Sequence, residues 1–119
     1  MNWLSETPPK EILNNKPSCG TASRVLDRIK AGELLAREAG GRVPVIGWVE
    51  GPLAESCDLA GVNEVLLKVF MEPDFVKRLM AKTLVTAKDF ARAQVEAGCS
   101  VIGVGEDETA YLRKYLSPA

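Results

Sequence analysis

The sequence contains no histidine. That removes the commonest acid–base side chain and the commonest metal ligand, so any chemistry must run on carboxylates, lysine, arginine, tyrosine or cysteine. Cysteine is scarce as well. Cys19, Cys57 and Cys99 form an odd, scattered set without metal-ligand spacing. Such a set is poor material for a disulfide framework and fits a reducing cytoplasm, with each thiol expected as a small buried hydrophobe. Neither sign of charge is in excess: the net charge of −1 gives no electrostatic case for nucleic acid. No apolar run approaches the roughly 18 residues that cross a bilayer, so no membrane partner is expected. The first residues lack the basic and apolar regions of a secretory signal, and the expected location is cytoplasmic.

What is present is an ordinary mixture for a folded domain: 119 residues, 46% hydrophobic and 26% charged. The most informative runs are Val43-Pro-Val-Ile-Gly-Trp-Val-Glu-Gly-Pro52 and Ala97-Gly-Cys-Ser-Val-Ile-Gly-Val-Gly-Glu-Asp107. Each reads as a short strand, apolar at successive positions and so buried on both faces, that breaks into a glycine-containing turn and ends in acids. Between them the patterns are helical. Strand, helix, strand is the unit of a parallel sheet with a right-handed crossover, and α/β proteins place their chemistry at the carboxyl ends of such strands.

Residues 1–20, with Pro8, Pro9 and Pro17, read as an irregular leader, and residues 21–119 as the structured part. A helix is expected from Ala22 to Ala39, with Val25, Leu26, Ile29 and Leu35-Ala36 near one stripe and Gly40-Gly41 as its stop. Val43–Val49 is the first strand, Leu53–Ala60 a short helix closed by Gly61, and Val62–Phe70 another. Pro73 opens the longest helix, with Asp74 suited to its positive end. Val76, Leu79, Met80, Thr83, Ala87, Phe90, Ala91 and Gln94 form its apolar stripe, and Gly98 its stop. Ser100–Val104 is the second strand, and Glu108–Leu116 a last helical turn or two. A two-stranded parallel sheet keeps two open edges and at least one bare face, so the chain is expected to associate or to be part of something larger.

Gly103-Val-Gly105 has the look of a dinucleotide-binding turn, but a third glycine is missing and three acids follow, where a pyrophosphate would be repelled. Glu106-Asp107-Glu108 lies where barrel enzymes keep metals, bases or substrate amines, and crowded carboxylates raise one another's pKa. The plainer reading is that these acids cap the following helix. Glu50-Gly51-Pro52 is the corresponding turn of the first strand, or simply a loop with a solvated acid. Trp48 is expected in a core or an interface rather than as a stacking platform. The lysines and arginines of the long helix are its polar side.

The ordered series of blocks resembles the uroporphyrinogen decarboxylase superfamily, which includes decarboxylases of haem synthesis and cobalamin-dependent methyltransferases. The resemblance lies in Val45-Ile-Gly-Trp-Val-Glu-Gly-Pro-Leu-Ala-Glu-Ser-Cys-Asp-Leu-Ala-Gly61, in Met71-Glu-Pro-Asp-Phe-Val76, in Gln94-Val-Glu-Ala-Gly-Cys-Ser-Val-Ile-Gly-Val104 and in Tyr115-Leu-Ser-Pro118. It covers about residues 22–118. Members are (β/α)8 barrels several times longer than this chain, so the resemblance implies an α/β fold: a partial TIM barrel with two parallel strands and several helices, cut from the middle.

The resemblance also carries functional expectations. The parent protein would handle a tetrapyrrole, with corrinoid-dependent methyl transfer preferred. The alternatives are a uroporphyrinogen decarboxylase of porphyrin biosynthesis and a non-catalytic oligomeric α/β interaction module. The family's amino-terminal arginine and aspartate motif is absent, and the zinc ligands of the methyltransferase branch would lie beyond residue 119. Decarboxylases carry tyrosine where Asp58 stands and serine where Asp107 stands, and an acid at position 58 would repel a polycarboxylate. The expected catalytic residues are Asp107 and Glu106; the expected substrate-binding residues are Glu50, Gly51 and Asp58, with no metal ligand. A corrinoid would be a substrate or a partner-bound group rather than a cofactor of this chain. The expected partners are a second copy or the remaining barrel segments, and a corrinoid protein. The chain alone is expected to be inactive.

Overall fold

The computed structural model describes residues 23–107. The leader and the expected helical turn at Glu108–Leu116 lie outside the described residues. In chain order the elements are α1 (Ser23–Ala39), β1 (Ile46–Glu50), α2 (Pro52–Ala60), α3 (Val62–Met71), α4 (Pro73–Glu96) and β2 (Val101–Gly105). The two strands pair in parallel, with Ile46 opposite Val101 and Glu50 opposite Gly105. The fold is α/β, a partial (β/α)8 segment as the sequence predicts.

The local signals hold where the chemistry is strongest. Proline opens both α2 and α4 at a position where no N–H is needed. Gly61, at φ +92, separates α2 from α3 in a backbone conformation that other residues adopt only under strain, and its N–H bonds back to the Cys57 carbonyl. Gly40 and Gly41 follow α1, and Gly98 follows α4.

The core sits among the helices rather than on the sheet. Leu53 and Cys57 of α2, Val65 of α3, and Phe75, Val76 and Leu79 of α4 pack as one buried cluster. Burial of each large apolar side chain there contributes about 1.5–3 kcal/mol. Ser56 and Thr83 are the polar exception at the α2–α4 contact. The Thr83 hydroxyl donates to the Pro52 carbonyl at 2.9 Å, and the Ser56 hydroxyl donates to the same oxygen at 2.6 Å. This pins the first turn of α2 against α4 with both hydroxyls satisfied. Cys57 and Cys99 are buried, as the sequence implies.

Three sequence expectations are corrected. The first strand runs Ile46–Glu50, later than Val43–Val49, and the second ends at Gly105 rather than Val104. The strands are not covered on both faces as their apolar runs suggest, and the bare face expected of a two-stranded sheet is present. In β1, Gly47 and Val49 are buried, while Ile46 (63%) and Trp48 (54%) are exposed. The continuous apolar run suits a strand between two layers, but among the described residues it is α4 that covers it, on one face, so burial alternates with the period of two that any strand imposes. On α1, the partly buried stripe is Val25, Ile29, Gly32, Ala36 and Ala39, and Leu35 is exposed. Small residues set that packing: a Cβ added at Gly98 would stand 2.8 Å from the Ala36 Cβ.

Candidate functional site at the carboxyl ends of the strands

The turn after β1 and the turn after β2 form one corner. The Gly51 N–H donates to the Gly105 carbonyl at 2.6 Å, extending the pairing past the last residue of β1. Gly51 is also the N-cap of α2, where no side chain of its own can accept from the first free N–H groups. Glu106 fills that role from the other strand. Its Oε1 accepts from the Ala54 N–H at 2.9 Å, and its Oε2 lies where a Gly51 Cβ would stand. Glu106, expected to cap the helix that follows it, caps the helix that follows β1; the segment after Asp107 lies outside the described residues. A carboxylate at this positive helix end is favoured by the dipole.

Glu50 lies on the opposite, exposed face of the sheet. Its Oε1 accepts from the Trp48 indole N–H at 3.1 Å. The indole lies across β2: Cβ atoms added at Gly103 and Gly105 would approach it to 2.4 and 3.1 Å. The Gly103-Val-Gly105 pair therefore seats an aromatic ring and does not cradle phosphate. Trp48, expected in a core or interface, is half exposed. From the other face the Gln94 carboxamide holds the same residue, accepting from the Trp48 N–H at 3.0 Å and donating to the Trp48 carbonyl at 3.1 Å. It satisfies both backbone groups as a neighbouring strand would.

Glu55 is a residue the sequence reading missed. It lies one turn into α2, partly buried, and its carboxyl is raised above the ordinary range by burial first, then by the negative charges of Asp58 and Glu50. Of the expected site residues, Gly51 and Glu106 meet at the corner, and Glu50 stands next to it on the opposite face of the sheet. Asp58 is exposed on α2 and acts on the corner through Glu55, while Asp107 follows on an exposed turn. Three acids at positions 50, 55 and 58 straddling a Gly-Pro turn are the signal that would have found Glu55. Among the described residues no three metal-ligating side chains come together, and no helix is long and apolar enough to cross a membrane.

Comparison with known proteins identifies the family. The sequence profile of a family described as uroporphyrinogen decarboxylase (URO-D) matches residues 10–118. The chain is 27% identical over 84 residues to the methylcobamide:CoM methyltransferase MtaA of Methanosarcina barkeri, an alignment covering 71% of this chain and 25% of that protein. It is 32% identical over 89 residues to the uroporphyrinogen decarboxylase of Geobacter sulfurreducens, covering 67% of this chain and 24% of that protein. The chain thus spans about a quarter of the length of these curated relatives. No solved structure matches it.

Proposed function

The chain belongs to the uroporphyrinogen decarboxylase family, and from that premise we propose that it is a segment of a cytoplasmic tetrapyrrole-handling protein whose substrate is a methylated corrinoid. The observation that carries this reading is the charge of the corner. The Glu55 carboxyl is raised by burial and by the charges of Asp58 and Glu50, and Glu106 adds a fourth acid at the turn. A porphyrinogen presents carboxylates, which such a mouth repels. The rim of a corrinoid presents amide N–H groups, which carboxylates accept.

In this reading Glu50 and Asp58 bind the rim, and Gly51 keeps the turn open for the Glu106 carboxylate. Glu106 orders the start of α2, and Asp107 serves beside it as a hydrogen-bond acceptor or general base at the exposed turn. The corrinoid supplies the methyl group; the residues described here bind and orient it. The bare sheet face, Ile46, Val101 and their neighbours, is covered in the parent protein by the remaining strands of the barrel and in the isolated chain by a second copy. The chain alone has no turnover in this reading, because the two strand ends among the described residues do not complete a pocket.

A charge switch tests this. In equilibrium dialysis, Glu50→Gln combined with Asp58→Asn should lower retained cobalamin and raise retained uroporphyrin relative to the unaltered chain. An unchanged ratio, or preferential retention of uroporphyrin by the unaltered chain, would favour the decarboxylase reading, to which the 32% identity lends support.

A further inference from the structure

Helix α3 carries two apolar faces. One is the core face, where Val65 is fully buried and Val69 packs beside it, against α2 and α4. The other follows from four-residue spacing, which sets Val62, Leu66 and Phe70 in one row with Leu67 and Met71 in the row beside it. Within that second face only Asn63 is polar. Val62 (43%), Leu67 (56%), Phe70 (57%) and Met71 (70%) are exposed there. A helix apolar around most of its circumference is one that other structure covers. The exposed parts of these four side chains amount to on the order of 400 Å², the size at which an apolar patch marks an interaction site. Nothing charged screens it. The one cation of the helix, Lys68, is held 2.7 Å from Glu72 and 3.5 Å from Glu64, with the Phe75 ring centre 5.1 Å away. Its stem is therefore not laid over the patch, and the patch lacks the basic rim of a membrane-surface helix. The strands that complete the barrel add at the two sheet edges, so they cover the sheet and not the outer side of a helix that packs on α2 and α4.

We propose that this face of α3 is a two-fold interface with a second copy of the chain, α3 against α3, separate from the sheet face and retained when the barrel is complete. An uncharged apolar patch carries no polar signature that selects a different protein. Its complement is another such patch, and a two-fold axis brings the same one from the second copy. The two patches together bury roughly 800 Å² before flanking atoms are counted, close to the ~1,000 Å² that a specific interface should clear. Phe70 is the anchor, an aromatic ring set among Leu66, Leu67 and Met71. Asn63 brings a donor and an acceptor from each copy, and two such amides satisfy one another. The assignment is independent of which tetrapyrrole the parent protein takes.

The test uses the full 119-residue chain with Cys19→Ser, which leaves the buried Cys57 and Cys99 as its native thiols. Light scattering over a concentration series reads the mass, and a short bismaleimide reads proximity from Leu67→Cys. A covalent dimer through Leu67→Cys is expected, and Phe70→Glu should prevent it. Phe70→Glu should weaken association about a hundredfold, the scale of losing a central aromatic anchor. The mass should then fall at least by half, whether or not the sheet face pairs as well. Leu67→Glu should do the same. Both side chains are exposed, so circular dichroism should show the fold of each variant unchanged. A mass unaffected by either charge substitution would overturn the proposal. So would a Leu67→Cys thiol that stays shielded from a monofunctional maleimide at every dilution, since a segment of the same chain would then occupy α3.

Discussion

Glu106 and Gly51 share one volume. The carboxylate at the end of β2 occupies the place of a Gly51 side chain and accepts from the Ala54 N–H, so the second strand caps the helix that leaves the first. Gly51 has φ −70 and ψ 164, a conformation open to any residue, so its need for glycine is spatial.

The two positions should therefore be coupled. Gly51→Ala expels the carboxylate and Glu106→Ala removes it; each should cost about 1–2 kcal/mol, the usual scale of a lost N-cap. The double variant should cost less than the sum of the two, a coupling of about 1 kcal/mol in urea unfolding, yet more than Glu106→Ala, because the Gly105 carbonyl still stands 2.9 Å from the added Cβ. Strict additivity would show that the two residues act separately.

Gln94→Leu keeps the size of the side chain and removes both of its bonds to the Trp48 backbone. A loss of about 1–3 kcal/mol is expected, from backbone groups left without partners on the helix-covered side of β1. Amide exchange at Trp48 should accelerate with it. Unaltered protection would mean that Gln94 is merely lodged there.

Glu55 should make stability depend on pH. Its folded pKa lies above the ordinary value of 4.5, so the folded chain holds that proton more tightly than the unfolded chain does. Between the two values stability falls as pH rises, and the ionised group remains a burden at neutral pH. Glu55→Gln should be the more stable chain at pH 7, with the difference shrinking as pH drops and gone below about 4.5. Thermal unfolding across that range reads it directly. A glutamine variant less stable at pH 7 would contradict the burial and charge assigned to this acid.

Gly103→Ala places a methyl beneath the Trp48 ring. The indole must lift, breaking its bond to Glu50, at a cost of about 1–3 kcal/mol. The near-ultraviolet dichroism of Trp48 should collapse while far-ultraviolet helix signal persists. A preserved near-ultraviolet band would show that the ring is not seated on the glycines.

Helix starts and stops were legible because single residues decide them: Pro52 and Pro73 at the beginnings, Gly61 and Gly98 at the ends. The parallel pairing followed from two apolar runs separated by helical pattern. Burial was misjudged on β1 because Ile46 and Trp48 carry the composition of a strand covered on both faces, while only one layer is present among residues 23–107. At the site, the sequence placed Glu50, Gly51 and Glu106 at strand ends but not their division of labour. That Glu106 reaches back to Ala54 depends on the Glu50–Gly105 register, which no local pattern encodes. Glu55 escaped notice because its environment is built from residues on both sides of the Gly-Pro turn. Gln94 was visible as a stripe position of α4, yet its polar end, and not its bulk, is what holds Trp48.

The claim that these strand ends receive an amide-bearing tetrapyrrole is tested most directly by size-exclusion chromatography with light-scattering and absorbance detection, run on the chain with cobalamin and, separately, with uroporphyrin. Corrinoid absorbance travelling with a discrete oligomer of the chain, and uroporphyrin eluting free, is the predicted result. Cobalamin eluting free while uroporphyrin travels with the protein would contradict it.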